Sequence, residues 1–349
     1  MECYMIRSFS RYEILCRVFG CSFLQNMTEK TVHRANATWK RPYTFYSLAW
    51  ILAITYFEGR TIAVRVQRSD VVREFTESLT ALVHAALTVK VVVNFVTMVA
   101  SSPRLLDFFR KCAEFEKSSG FRPPRLQDVR RSTYSAVVLR NLILFGVATC
   151  YCFVVVAFYA GNPAAHGKWT FASGIINLAC WVGYLLYESL PYVVLASTGE
   201  VLVWYVRAQT EAFDECLKVV GGQSVTSLAR LSPSAKVESV RLNVIEITRL
   251  KNCINEIWNP ALAVASVLLL WTHSMTLYSL ICTDAYALFV YQCCAYTAYS
   301  SLSFLHIVLI SQGLRDEMVG TLITYAVILV QTSDNLSQRR HANGTISVP

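Results

Sequence analysis

The chain has 349 residues, of which 54% are hydrophobic and only 16% charged, whereas a typical soluble domain carries about 25% charged residues. This balance excludes an ordinary soluble enzyme and indicates a membrane protein. The net charge of +9 does not indicate a nucleic-acid partner, because the basic residues are spread over the segments between apolar spans, where Lys and Arg set membrane topology.

Seven apolar spans follow one another along the chain, most of them long enough to cross a bilayer. They cover approximately residues 43–57, 79–100, 134–160, 170–206, 261–283, 285–311 and 318–332. The first span has aromatic residues at both ends, which suit the membrane interfaces. The last span is short and lacks such a belt, so we expect neighbouring helices to shield it from lipid. The pattern predicts an all-α membrane protein with seven transmembrane helices.

The distribution of Lys and Arg predicts the orientation of these helices. Basic residues concentrate in residues 1–42, 103–133 and 207–257, and the positive-inside rule places such segments in the cytosol. We therefore expect a cytosolic N-terminal segment (1–42), a multi-pass domain (43–332) in the plasma membrane in contact with its lipids, and an extracellular tail (333–349). Helical periodicity also continues through much of 207–257, which predicts cytosolic extensions of the membrane helices.

No catalytic or metal-binding pattern accompanies the spans. The chain has no nucleophile-elbow, zinc-protease or phosphate-loop motif, and its six histidines are scattered over different spans. Its cysteines form no pair spaced for zinc. We therefore expect no enzymatic activity, no catalytic residue, no cofactor and no metal site.

Four ionisable side chains lie inside the spans: Lys90, Arg140, Glu188 and Glu200. Lys90 is in the middle of its span, and Glu188 comes shortly before Pro191. Charged groups at such depth usually serve a function or pair with one another. A functional pair and a salt bridge that only fixes helix packing remain equally open at this stage.

One face of the fourth span combines aromatic and polar groups. Asn177, Trp181, Tyr184 and Glu188 are spaced so that they share a helix face, which runs from the outer interface to mid-membrane in the predicted orientation. Five further residues of similar character are expected in the outer half of the bundle: His84, Tyr151, Trp271, His273 and Tyr278. Such walls suit a small organic ligand that enters from outside, although ordinary bundle packing explains any single residue equally well.

The last span carries a polar stripe. Thr321, Thr324, Ile328 and Gln331 fall within about 80° of one another on a helix. Polar side chains on a membrane helix must face protein or water, because lipid cannot satisfy them. The stripe therefore predicts a helix that lines a pore.

The segment from Thr324-Tyr325 to Gln331-Thr332 resembles the C-terminal signature of arthropod gustatory receptors, which is Thr-Tyr, five hydrophobic residues and Gln-Phe. The segment 255–260, Asn-Glu-Ile-Trp-Asn-Pro, also resembles that family's entry to its fifth helix. Thr332 departs from the signature, where Phe is expected. The short separation of the last two spans, residues 311–317, departs from it as well, since members usually have a longer cytosolic stretch there.

This resemblance implies a ligand-gated, non-selective cation channel used in taste perception. Four related subunits, identical or different, would surround one pore, and each would bind a small-molecule tastant. By position, Gln331 matches the glutamine that narrows the pore, Ile328 matches the hydrophobic gate, and Thr324 with Tyr325 matches a pair that serves packing. Ala326 replaces the Glu typical of the sugar-receptor branch and so argues against a sugar ligand.

Two other classes compete with this interpretation. A transporter or receptor without its own pore would use Lys90 and Glu188 as a coupling pair at mid-membrane. A G-protein-coupled receptor would have its N-terminus outside, contrary to the predicted orientation, and the chain has no Asp-Arg-Tyr at the end of the third span.

Overall fold

The computed structural model describes residues 3–18, 20, 24–25, 35–37, 42–72, 75–123, 169–221, 233–281, 294 and 296–320. Almost all of these residues are helical. The helices are α1 (Tyr4–Val18), α2 (Pro42–Val72), α3 (Phe75–Ser119), α4 (Trp169–Gly221), α5 (Pro233–Ile281) and α6 (residues 296–320). The strands β1 (Leu24–Gln25) and β2 (Asn36–Ala37) form one antiparallel pair.

The long helices reach far beyond a bilayer. Helices α3, α4 and α5 have 45, 53 and 49 residues, which correspond to about 70 to 80 Å, against a hydrocarbon core of about 30 Å. Among the described residues, three segments are long and apolar enough to cross a membrane: Ala81–Ser119, Leu186–Glu215 and Ala235–Tyr278. The predicted extensions of the fourth and fifth spans are helical, because α4 continues to Gly221 and α5 begins at Pro233. The predicted span 134–160 lies outside the described residues.

Helices α3 and α4 run in the same direction. Lys90 of α3 contacts Glu188 of α4, and Glu116 contacts Tyr205 further along both helices. Because both partners advance in sequence together, the two helices are parallel. This agrees with the alternation predicted for the second and fourth spans.

Helices α5 and α6 run in opposite directions. The hydroxyl oxygens of Thr276 and Thr297 lie 2.7 Å apart, and Nε2 of His273 lies 3.1 Å from the hydroxyl oxygen of Ser301. From the first contact to the second, the residue number falls on α5 and rises on α6, so the two helices are antiparallel. This agrees with the alternation predicted for the fifth and sixth spans.

The segment before the first span contains a helix that the sequence analysis did not anticipate. Helix α1 packs against α3 and α4 through Met5, Ile6 and Phe9, all almost completely buried. The Glu116 carboxylate of α3 accepts hydrogen bonds from the backbone N–H groups of Tyr4 at 2.7 Å and Met5 at 2.9 Å. A carboxylate placed there satisfies unpaired donors and favours the positive end of the helix dipole.

The segment predicted to separate the last two spans does not interrupt the helix. Residues 311–317 are helical, and α6 continues without interruption to Gly320. Ile310, Leu314 and Met318 are all buried, so apolar positions recur every four residues through this stretch and keep one face against the bundle. Arg315 and Asp316, which lie between these positions, are exposed, and charge is compatible with the exposed face of a helix.

Candidate functional site in the helix bundle

A buried ion pair joins α3 to α4. Nζ of Lys90 lies 2.7 Å from Oε1 of Glu188, and the two side chains are 1% and 0% exposed. The Tyr296 hydroxyl on α6 donates a hydrogen bond to the same carboxylate oxygen at 2.8 Å. Two isolated charges at this depth would be very unfavourable, whereas a hydrogen-bonded pair of opposite sign compensates much of the lost hydration. The pair that the sequence analysis left open does form, and three helices meet at it.

Aromatic rings surround the ammonium group. Nζ of Lys90 lies 5.2 Å from the ring centroid of Tyr192 and 5.8 Å from that of Tyr296. A cation near the face of an aromatic ring is attracted by the ring quadrupole, and the attraction is stronger where water is excluded. The site therefore holds one fixed positive and one fixed negative charge away from water.

The ion pair lies next to a proline-broken turn of α4. Pro191 has no N–H to donate to the carbonyl of Tyr187, four residues earlier. The side-chain amide of Asn94, one turn after Lys90 on α3, donates to that carbonyl at 3.0 Å and to the Glu188 carbonyl at 3.3 Å. One face of α3 therefore satisfies both the charge and the broken backbone of α4.

A second polar pair lies nearer the predicted outer ends of α2 and α3. Nδ1 of His84 lies 2.9 Å from Oε2 of Glu58, with side chains 13% and 2% exposed. Tyr184, also buried, is on the α4 face that includes Glu188. The predicted pocket residues His84, Tyr184 and Glu188 are thus all packed inside the bundle. Glu58 was not predicted, because it follows the first span in sequence and its burial depends on the approach of α3.

The predicted pocket residues of α5 have other surroundings. His273 contacts the α5 carbonyl of Leu269 at 2.7 Å through Nδ1, besides its contact with α6. Trp271 is half-buried, and Tyr278 is exposed. These three residues lie along the part of α5 that packs on α6, and membership of a common ligand pocket stays a prediction for them.

Several predicted residues cannot be placed. The backbone of α4 includes Asn177 and Trp181, but their side chains lie outside the described part of the chain, as does Tyr151. Five residues of the predicted pore helix lie outside the described part of the chain altogether: Thr321, Thr324, Tyr325, Ile328 and Gln331. Among the residues that are described, no three His, Cys, Asp or Glu side chains are grouped so that they could hold a metal ion.

A groove of about 300 Å³ lies between α2 and α4 and was not predicted from the sequence. It is lined by two aromatic residues of α2 together with small residues of both helices: Tyr46, Ala49, Trp50, Ala53, Ala179 and Cys180. Gly183 lies beside it, and a Cβ at this position would be 3.2 Å from the end of the Ile54 side chain. Small residues here let the two helices approach closely.

No protein-family model and no curated protein matches the chain. Among solved structures, the chain resembles the insect olfactory receptor OR5 from Machilis hrabei. The TM-score is 0.61, the sequence identity is 10%, and the likeness covers 90% of this chain and 81% of that one. The likeness is one of fold. The chain therefore has the helical architecture of an insect receptor, and that neighbour is not an enzyme.

Proposed function

We propose that the chain is a subunit of a ligand-gated, non-selective cation channel of the gustatory-receptor type. The observation that carries the proposal is the similarity of fold to an insect olfactory receptor over nine-tenths of the chain. The gustatory-type signature at the end of the sequence supports it independently. The channel opens when a small tastant binds among the helices, and the plasma membrane is its place of action.

The pore is formed by the last span, 318–332, beyond its first three residues, which continue α6, in a tetramer of identical or related subunits. The stripe of Thr321, Thr324, Ile328 and Gln331 faces the central axis. A ring of Ile328 side chains closes the pore by excluding water, and a ring of Gln331 amides contacts ions without selecting strongly among cations.

The ligand pocket lies beside the buried charges. The α4 face that includes Tyr184 and Glu188 offers aromatic walls and a few polar groups, the usual composition of a small-molecule site. The tastant enters from the extracellular side in this arrangement, with the N-terminus in the cytosol.

Recording of whole-cell currents in cells that express the chain tests the proposal, with a panel of small organic tastants as ligands. We expect Ile328→Ala to raise the current without ligand, and Gln331→Ala to change the relative permeability of sodium, potassium and calcium. Val330→Ala is the matched control, because it shortens a side chain on the opposite side of the same predicted helix. Cation currents that are unchanged in both stripe variants would refute the pore assignment.

A transporter without its own pore is the second candidate, and the buried contact of Lys90 with Glu188 favours it. Paired charges at mid-membrane are common in proton-coupled and ion-coupled carriers. Subunit counting on purified particles separates the two candidates, since four subunits support the channel and one or two support the transporter. Glycosylation of the tail at Asn343 would place the C-terminus outside, as the channel requires.

A further inference from the structure

Helices α4 and α6 lie side by side in one fixed register over a long stretch. Four contacts mark this line: Glu188 with Tyr296, Ser189 with Tyr299, Gly199 with Ile310, and Arg207 with Glu317. In the three polar pairs the partners are 108 to 110 residues apart in sequence. The two parallel helices therefore keep their register over about 28 Å, which corresponds to about five helical turns.

The middle of this line depends on a glycine. A Cβ on Gly199 would lie only 2.7 Å from Cγ2 of Ile310, which is well below van der Waals contact. Ile310 is buried and packs with Val193 and Ala196 of α4. The Cγ2 atom belongs to a β-branched side chain, which has few alternative rotamers in a helix. The absence of a side chain at Gly199 thus sets the distance between the two backbones.

The first and the last of these four contacts lie in two different regions of the molecule. At one end, Glu188 joins Lys90 of α3 in the buried ion pair. At the other end, Nε of Arg207 lies 2.9 Å from Oε1 of Glu317, and the Arg207 guanidinium also lies 5.3 Å from the centre of the Trp204 ring. Glu317 lies three residues before Gly320, the last described residue of α6, and residues 321–332 of the predicted pore span follow directly in sequence.

We propose that α4 and α6 act as one transmission unit, fixed at Glu188–Tyr296 and at Arg207–Glu317 and held in register by the contact of Gly199 with Ile310. This inference rests on the proposed channel function. Closely packed helices resist small sliding motions and move between discrete arrangements. A displacement of the α4 face at Glu188 is therefore passed to the start of the pore helix by α6, not absorbed between the two helices.

The first test adds one methyl group to α4. Gly199→Ala forces α4 and α6 apart, whereas Gly313→Ala on α6 adds the same group where, apart from the backbone of α6 itself, no atom of the described residues lies within 4 Å. The readout is the sodium current without added ligand, measured by replacing sodium with N-methyl-D-glucamine and normalised to the protein at the cell surface. We expect Gly199→Ala to change this current about tenfold, the shift that corresponds to about 1.4 kcal/mol in a two-state equilibrium. Gly313→Ala should leave it unchanged.

A rescue variant separates a specific contact from general damage. Ile310→Ala removes the methyl group that an added Cβ would meet, so Gly199→Ala combined with Ile310→Ala should return most of the way to the wild-type current. If the added methyl acts only by misfolding, the double variant will be no better than Gly199→Ala alone, and the inference is then wrong.

The charged end provides a test that needs no change in the core. Arg207→Glu and Glu317→Arg should each change the ligand-free current about two- to fivefold, as expected for a partly exposed ion pair. The exchanged pair, Arg207→Glu with Glu317→Arg, should restore it. Arg249→Glu is the control, because among the described residues Arg249 pairs with Glu246 of its own helix.

The outcomes separate the two proposals. If the wild type carries a sodium current and Gly199→Ala and Gly313→Ala change that current equally, the transmission unit is overturned and the channel proposal stands. No sodium current in the wild type or in any variant, with ligands or without, would overturn the channel and the transmission unit with it. Selective effects of Gly199→Ala and restoration by the exchanged pair support the inference.

Discussion

The side-chain amide of Asn94 donates to the backbone carbonyl of Tyr187, the carbonyl that lacks its helical donor because residue 191 is proline. A proline inside a helix removes one hydrogen bond and crowds the carbonyl four residues earlier. In this bundle the missing donor comes from a different helix. The stability of α4 at this turn therefore depends on the register between α3 and α4.

A double-mutant cycle between Asn94 and Pro191 tests this dependence. Asn94→Ala leaves a buried carbonyl unsatisfied, so we expect it to destabilise the protein by about 1–3 kcal/mol. In a Pro191→Ala background the helix supplies its own N–H, and the same substitution should have a smaller effect. The measurement is the midpoint of thermal unfolding of the detergent-purified protein. Equal shifts in both backgrounds would show that Asn94 does not act through the Tyr187 carbonyl.

The buried ion pair leads to a second prediction. Lys90→Met leaves the Glu188 carboxylate buried without its cation, and breaking such a pair typically destabilises a protein by about 3–5 kcal/mol. Lys90→Met combined with Glu188→Met removes both charges and should recover most of the loss in thermal stability. Arg249→Met, which breaks an exposed pair on α5, should change stability by less than about 1 kcal/mol. A Lys90→Met protein as stable as the wild type would mean that the charges are not paired as described.

The sequence predicts much of this arrangement, but not its contacts. Apolar spans and basic segments predict the long helices and their alternation, because hydropathy and charge are local properties of the chain. Lys90 and Glu188 are conspicuous for the same reason, since charges are rare in apolar helices. Their meeting depends on the register between α3 and α4, which no local pattern contains.

Other contacts around the ion pair had weaker signals in the sequence. Tyr296 is one of 18 tyrosines, and only the placement of α6 brings it to the carboxylate of Glu188. Pro191 stands in the fourth span in the sequence, but that Asn94 of α3 is the donor to the Tyr187 carbonyl follows only from the packing of α3 on α4. Residues 311–317 were predicted only as a short stretch between two apolar spans, and their helical structure rests on the burial of Ile310, Leu314 and Met318 against the bundle.

The attachment of α1 gives a third prediction. Burial, and then the nearby Glu116 carboxylate, raise the pKa of the Cys3 thiol from 9.0 to about 12, so Cys3 should react very slowly with maleimide at pH 8. Glu116→Ala removes the acceptor of the Tyr4 and Met5 N–H groups and should expose Cys3, with labelling about tenfold faster or more. Glu114→Ala changes an exposed carboxylate two positions earlier and is the matched control. A Cys3→Ser variant gives the background from the other cysteines.

The raised pKa of Cys3 also predicts how the stability of the protein changes with pH. The folded protein holds the Cys3 proton more tightly than the unfolded chain does, so this thiol contributes stability fully below pH 9 and loses that contribution between pH 9 and about 12. Cys3→Ser has no such thiol, and its stability should fall less steeply than that of the wild type above pH 9. Parallel stability curves in this range would contradict the burial of Cys3.

Two glycines give a fourth prediction with opposite signs. Gly20 has φ +74°, and an added Cβ would lie 3.0 Å from the Cα atom of Ser47, while its carbonyl accepts a hydrogen bond from the Tyr187 hydroxyl at 2.9 Å. Gly20→Ala should destabilise the protein by about 1–2 kcal/mol, because a left-handed backbone is unfavourable for alanine. Gly59 is inside α2, and no atom of the described residues beyond the backbone of α2 lies within 4 Å of an added Cβ. Gly59→Ala should therefore stabilise the helix by up to about 1 kcal/mol. Thermal midpoints of the two variants should therefore move in opposite directions from the wild type. A shift of both midpoints in the same direction would show that the turn at Gly20 does not fix the end of α1 against α2 and α4.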